Sequence, residues 1–152
     1  MIKNVLFTAF AVLALAACSD PAEPDKPAPA DSIARADGPV LTMDYASARA
    51  GQVRDVRYAI TVTLDPELDH FAGENRIRFD WAASPAGLTI DFGGGEVDSL
   101  SVNGQPAPVD YRGYFIVIPA TLLEDGQNEI VVAYRHTWST TGAGLYLSLI
   151  HI

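Results

Sequence analysis

Between Val53 and Trp81 the chain reads VRDVRYAITVTLDPELDHFAGENRIRFDW, two long runs of period two joined by an acidic connection, and no other stretch restricts the fold as strongly. In the first run Val56, Tyr58, Ile60, Val62 and Leu64 share one face, while Arg57, Ala59, Thr61 and Thr63 take the other. In the second, Phe71, Ile77, Phe79 and Trp81 alternate with Arg76, Arg78 and Asp80. Side chains alternate across a strand, so both runs predict half-buried strands and together a β-hairpin. The connection Asp65–His70 is longer than a two-residue turn, so the alternation rather than the loop sets the register. A lone hairpin is at best marginal in water, and the rest of the chain must supply further strands. Tyr58, Ile60, Val62, Phe79 and, farther on, Ile116 are expected to face the core.

Ahead of the hairpin, residues 42–50 read TMDYASARA, a short helix with Thr42 as N-cap and Gly51 as its stop. Beyond it, Leu88, Ile90 and Phe92 alternate up to the turn Gly93-Gly94-Gly95, and Val97, Leu100 and Val102 lead into Asn103-Gly104. That dipeptide is a strong two-residue hairpin signal. Pro106 and Pro108 confine the returning strand, which ends at Val109, to an edge or a bulge, because proline has no N–H for the ladder. Tyr114–Ile118 is apolar on both sides and therefore central; Pro119 ends it. Leu122 and Leu123 fall in a short turn closed by Glu124-Asp125-Gly126, and Asn128–Arg135 is the last strand, with Ile130, Val132 and Tyr134 aligned. About seven short strands in this chain predict an all-β domain, a β-sandwich or saddle-like sheet.

The start of the chain concerns location. Lys3 precedes an apolar run, Val5–Leu15, too short for the roughly 20 residues that span a bilayer, and small residues follow it. Leu15-Ala16-Ala17-Cys18 resembles the bacterial lipoprotein motif, and Cys18 is the only cysteine among 152 residues. Residues 1–17 are thus expected to be a lipoprotein signal peptide and Cys18 the lipidation site, against the plainer reading of an ordinary signal with a chance cysteine. Ser19 rather than Asp after Cys18 implies, by the same resemblance, a cell-envelope protein anchored in the outer membrane and facing the periplasm. Residues 18–40 are rich in Pro, Ala and Asp and poor in apolar side chains, a disordered linker. If extended, its central twenty residues reach roughly 60 Å at about 3.1 Å each. With a net charge of −9, affinity for nucleic acid would have to come from a local basic patch, and none is visible in the sequence.

Little in the sequence carries chemistry. His70, His136 and His151 are scattered, and no His-Glu-x-x-His places two zinc ligands on one helical face. Gly93–Gly95 and Gly142-Ala143-Gly144 lack the spacing of phosphate or dinucleotide loops and read as turns, and Gly-x-Ser-x-Gly is absent. Glu74 and Asp80 alternate with Arg76 and Arg78 on one outward face, where charge pairing is the simple explanation. No residue is therefore assigned as catalytic, metal-binding or substrate-binding.

The run Val56-Arg57-Tyr58-Ala59-Ile60-Thr61-Val62, followed in order by Phe71-Ala72-Gly73-Glu74, Leu88-Thr89-Ile90-Asp91-Phe92, Val102-Asn103-Gly104, Gly126-Gln127-Asn128 and Thr141-Gly142-Ala143-Gly144-Leu145-Tyr146, resembles the amino-terminal β-domain of aminopeptidase N, the gluzincin zinc aminopeptidases. The resemblance covers residues 41–146. It implies a hydrolase removing amino-terminal residues from peptides, whose zinc, general-base glutamate and Gly-x-Met-Glu-Asn strand lie in a following domain. None of these can be placed on this chain, which needs no cofactor of its own and is expected to be inactive alone. Residues 147–152, LSLIHI, depart from the family pattern and read as a truncation or assembly artefact. The alternative is a free-standing β-sandwich envelope lipoprotein acting as a binding or structural module.

Overall fold

The computed structural model describes residues 35–141 and 144–146. The signal, Cys18, most of the linker, Gly142-Ala143 and residues 147–152 lie outside the described residues.

Helix α1 spans Met43–Gln52, and Thr42 caps it, its Oγ1 accepting from the Tyr45 backbone N–H at 3.3 Å. It runs through Gly51, and Val53 closes it by donating to the Arg49 carbonyl. Eight strands follow: β1 Val53–Thr63, β2 His70–Trp81, β3 Leu88–Asp91, β4 Glu96–Val102, β5 Gln105–Ala107, β6 Asp110–Tyr111, β7 Phe115–Ile118 and β8 Gly126–Thr137. A 3-10 turn, Ala120–Leu122, occupies the segment after Pro119. The strands form two antiparallel sheets, ordered β1-β2-β8-β4-β5 and β3-β7-β6. Among the described residues this is an all-β sandwich with one α-helix.

Local chemistry accounts for most of the path. Asn103 and Gly104, at φ 50° and 77°, make the tight turn between β4 and β5, a left-handed pair that Asn and Gly tolerate best. Val97 and Leu100 are three apart rather than two because the β4–β8 register shifts between Val97 and Ser99, a bulge that returns Leu100 to the core face. Pro106 lies in three-residue β5, at the sheet's edge.

Ile77, Phe79 and Trp81 of β2, Leu100 and Val102 of β4, and Ile130 and Val132 of β8 pack against Leu88 of β3 and Ile116 and Ile118 of β7. β7 is central to its sheet and buried on both sides: Ile116 and Ile118 face the core, and the Arg35 guanidinium lies 5.0 Å over the Phe115 ring.

One expectation fails. Tyr58, Ile60 and Val62 do stand on the same face as Ile77, since Tyr58 pairs with Ile77, Ile60 with Asn75 and Val62 with Gly73. They are nevertheless 62%, 61% and 39% exposed. The cause is geometric. β1, β2 and β8 have 11, 12 and 12 residues, whereas β3, β6 and β7 have 4, 2 and 4. At about 3.3 Å per residue the small sheet covers roughly a third of the length of the long strands. It closes over the Trp81 end and stops before Ile60.

Candidate functional site

The uncovered part of β1 is the most unusual surface of the domain. Its apolar row begins at Val56, inside a bulge in which Asp55 adopts φ 52° and the register with β2 shifts between Arg54 and Arg57. Val53, before the bulge, packs on the core, so the bulge marks where β1 leaves it. Val56, Tyr58, Ile60, Val62 and Leu64 are all exposed. A contiguous apolar row of this kind marks a contact surface. Beside it, a groove of about 380 Å³ runs between α1, β1 and β3, lined by Ala46, Arg49, Val56, Tyr58, Leu88 and Asp91 among others.

The walls of the groove are fixed by polar contacts. Tyr45 of α1 bonds Thr89 of β3 through its hydroxyl at 2.6 Å, and Arg49 donates to the Thr89 carbonyl at 3.3 Å. Arg35 and Arg49 both pair with Asp91, at 3.4 and 2.8 Å. At the other end the β1–β2 turn is pinned by Trp138, whose indole N–H donates to the Leu68 carbonyl at 2.7 Å. Phe71 packs between the rings of His136 and Trp138. Gly73 has no Cβ because the Tyr134 ring lies over it, where an added Cβ would collide.

The outward face is ionic. Glu129 of β8 accepts from Arg76 and Arg78 of β2, each at 2.7 Å. The hydrogen bond from Arg78, helped by the charge of Arg76, holds its carboxyl below the usual carboxylate range. Arg76 also pairs with Glu74, as expected for cross-strand charges, whereas Asp80 joins no ion pair among the described residues. Arg57, directly opposite Arg78, likewise has no carboxylate partner among the described residues.

Asn128 is a structural residue that sequence reading missed. It is buried and completely bonded: Oδ1 accepts from Asn103 Nδ2 and the Glu124 N–H, and Nδ2 donates to the carbonyls of Glu124 and Gly126, all within 3.0 Å. Asn103 in turn accepts from the Glu129 N–H at 2.9 Å. Two loops at one end of the sandwich are thereby fastened together.

His70 and His136 line one open groove at the end of β2 and β8, together with Asp69, Glu96 and Arg135, but each is bonded elsewhere. His70 hydrogen-bonds Asp69 at 2.7 Å, an interaction that lowers the Asp69 pKa, and His136 bonds the Thr137 carbonyl. His151 lies outside the described residues. Among the described residues no three of His, Cys, Asp and Glu form a group able to hold a metal ion. These side chains do not fit a zinc centre. Cys18 lies outside the described residues.

No known protein family and no curated protein matches the sequence. Among solved structures, the fold is similar to an M1 zinc metallopeptidase from Deinococcus radiodurans, solved as a mutant bound to a Tyr-Ser-Ala substrate. The two are 16% identical with a TM-score of 0.48, and the match covers 63% of this chain and 23% of that one. The matched region is thus under a quarter of the metallopeptidase's length.

Proposed function

We propose that this chain is the amino-terminal, non-catalytic β-domain of an exported, lipid-anchored zinc aminopeptidase that removes amino-terminal residues from peptides. Cys18 is the lipid anchor, the segment after it is the tether, and the domain sits at the outer membrane facing the periplasm. Zinc and peptide substrate belong to a following thermolysin-like domain.

The observation that carries the reading is the open row of β1. Tyr58 and Ile60 stand in a half-buried strand pattern, on the core face, yet are 62% and 61% exposed. A domain with its core face left open along its longest hairpin is built to be completed by another body of protein. The ordered series of aminopeptidase-like motifs from Val56 to Tyr146 supports a zinc-peptidase domain as that body.

The test is to immunopurify the native protein from the envelope and assay hydrolysis of aminoacyl anilides with and without a zinc chelator. Chelator-sensitive activity in the native material, absent from the recombinant 152-residue chain, is expected. Native protein with no metal-dependent aminopeptidase activity would sink the reading in favour of a free-standing envelope lipoprotein.

A further inference from the structure

Four strands lie at sheet edges, and three of them are blunted. β5 has three residues and contains Pro106, β6 has two residues, and β3 is covered by α1, with Arg49 bonded to the Thr89 carbonyl. β1 differs: beyond the bulge at Asp55 its ladder runs unbroken from Arg57 to Thr63, and among the described residues nothing pairs with its outer edge. From Arg57 to Leu64 the sequence RYAITVTL has neither proline nor lysine. Natural edges carry such devices because an unpaired row of N–H and C=O groups is a template for another strand.

We propose that β1 pairs with β1 of a second copy of this chain, antiparallel about a two-fold axis at Ile60, joining two five-stranded sheets into one. The pattern of the strand is self-complementary about that residue. Antiparallel pairing centred there sets Val56 opposite Leu64 of the second copy, Tyr58 opposite Val62, and Ile60 opposite Ile60. All five exposed apolar side chains then meet apolar side chains on one face. Centring on Ala59 or Thr61 leaves at least one of the five opposite Arg54 or Pro66.

Charge points to the same occupant. Arg57 stands opposite Arg78 on the outward face and lacks a carboxylate among the described residues. Asp65 lies two residues past Thr63, in the connection to β2, where its carboxylate accepts from the Glu67 N–H and joins no ion pair among the described residues. In the pairing centred on Ile60, Arg57 opposes Thr63 of the second copy, so Asp65 of that copy is its diagonal neighbour. Such neighbours are about 7–8 Å apart, within reach of an arginine side chain. The two-fold axis makes this contact twice. The pairing goes beyond the aminopeptidase reading and does not depend on it: it uses the outer edge of β1 and sets the two apolar rows side by side, leaving their shared face free for a following domain.

Disulfide trapping tests it on the full chain, with Cys18→Ser leaving the introduced thiol alone, in mild detergent. Residues opposite one another in an antiparallel pair lie about 4.5–5.5 Å apart at Cα, inside the range a disulfide spans. Ile60→Cys should therefore cross-link to itself under mild oxidation faster than Ala59→Cys, Thr61→Cys or the turn control Glu67→Cys. Tyr58→Cys should cross-link with Val62→Cys in a mixture. In sedimentation the chain should run as a dimer and Ile60→Lys as a monomer with unchanged circular dichroism. A monomeric parent chain, or trapping no faster at Ile60 than at Glu67 or Thr61, overturns the proposal.

Discussion

Replacing Ile116 or Ile60 by alanine separates the face a residue stands on from the cover it receives. Both are isoleucines on the core face of an antiparallel pair, but Ile116 is fully buried and Ile60 is 61% exposed. Ile116→Ala removes three carbons from a site enclosed by both sheets. The loss of transfer energy and the cavity left behind together cost about 2–5 kcal/mol. At Ile60 roughly two-fifths of the side chain is hidden and no cavity can form, so the cost stays below about 1 kcal/mol. With a urea slope of about 1–3 kcal/mol/M, Ile116→Ala should lower the midpoint by about 0.7–5 M and Ile60→Ala by less than about 1 M, the first shift exceeding the second at any one slope. The assay is a urea melt followed by tryptophan fluorescence in dilute solution, where self-association is minimal, with slopes compared for consistency. Equal damage from the two substitutions would refute the open row of β1.

Three further outcomes follow from the contacts. Asn128→Ala, which strips the bonds of Asn103, Glu124 and Gly126, should cost about 3 kcal/mol in the same melts, although no apolar surface is lost. Glu129 is held below its ordinary pKa by Arg78 and Arg76, so its contribution is present above the unfolded value, about 4.3, and lost as pH falls through the lower folded value. Glu129→Gln should therefore flatten the fall of the melting midpoint below about pH 4; an unchanged acid limb would contradict this. Cys18→Ala should abolish acyl labelling and leave the precursor uncleaved at the lipoprotein site, and normal acylation in that variant would remove Cys18 as the anchor.

Much of the fold was legible because its signals are local. Thr42 announces a cap, Asn103-Gly104 a tight turn, and Phe115–Ile118 a strand covered on both sides. The face of β1 was legible too, since period two determines which side chains share a side. What covers that face was not, because cover depends on how far another sheet extends. A partial signal existed in β2, where the core-facing positions opposite Ile60 and Val62 are Asn75 and Gly73 rather than large apolar residues. The core stops where β2 ceases to supply bulk. The bulge at Asp55 gave no warning, for the residue with positive φ is not a glycine. Asn128 could have been found as a polar residue two before Ile130 on an otherwise apolar face. Its four bonds, made with two separate loops, could not.

The candidate surface was therefore half visible. Its residues were singled out, but as core, and the correction turns a stability element into a contact surface. The ion pairs show the same limit. Arg76 and Arg78 were recognisable as an outward basic pair, yet their main partner, Glu129, comes from a strand some fifty residues away, joined through the β2–β8 register.

The central claim is that β1 lies open because this domain is one part of a larger zinc peptidase. Its most direct test is to read the message from this locus past codon 152. The account predicts an open frame that continues through Tyr146 into a zinc-binding His-Glu-x-x-His. A stop codon after Ile152 in every transcript, with native protein of matching mass, would contradict it.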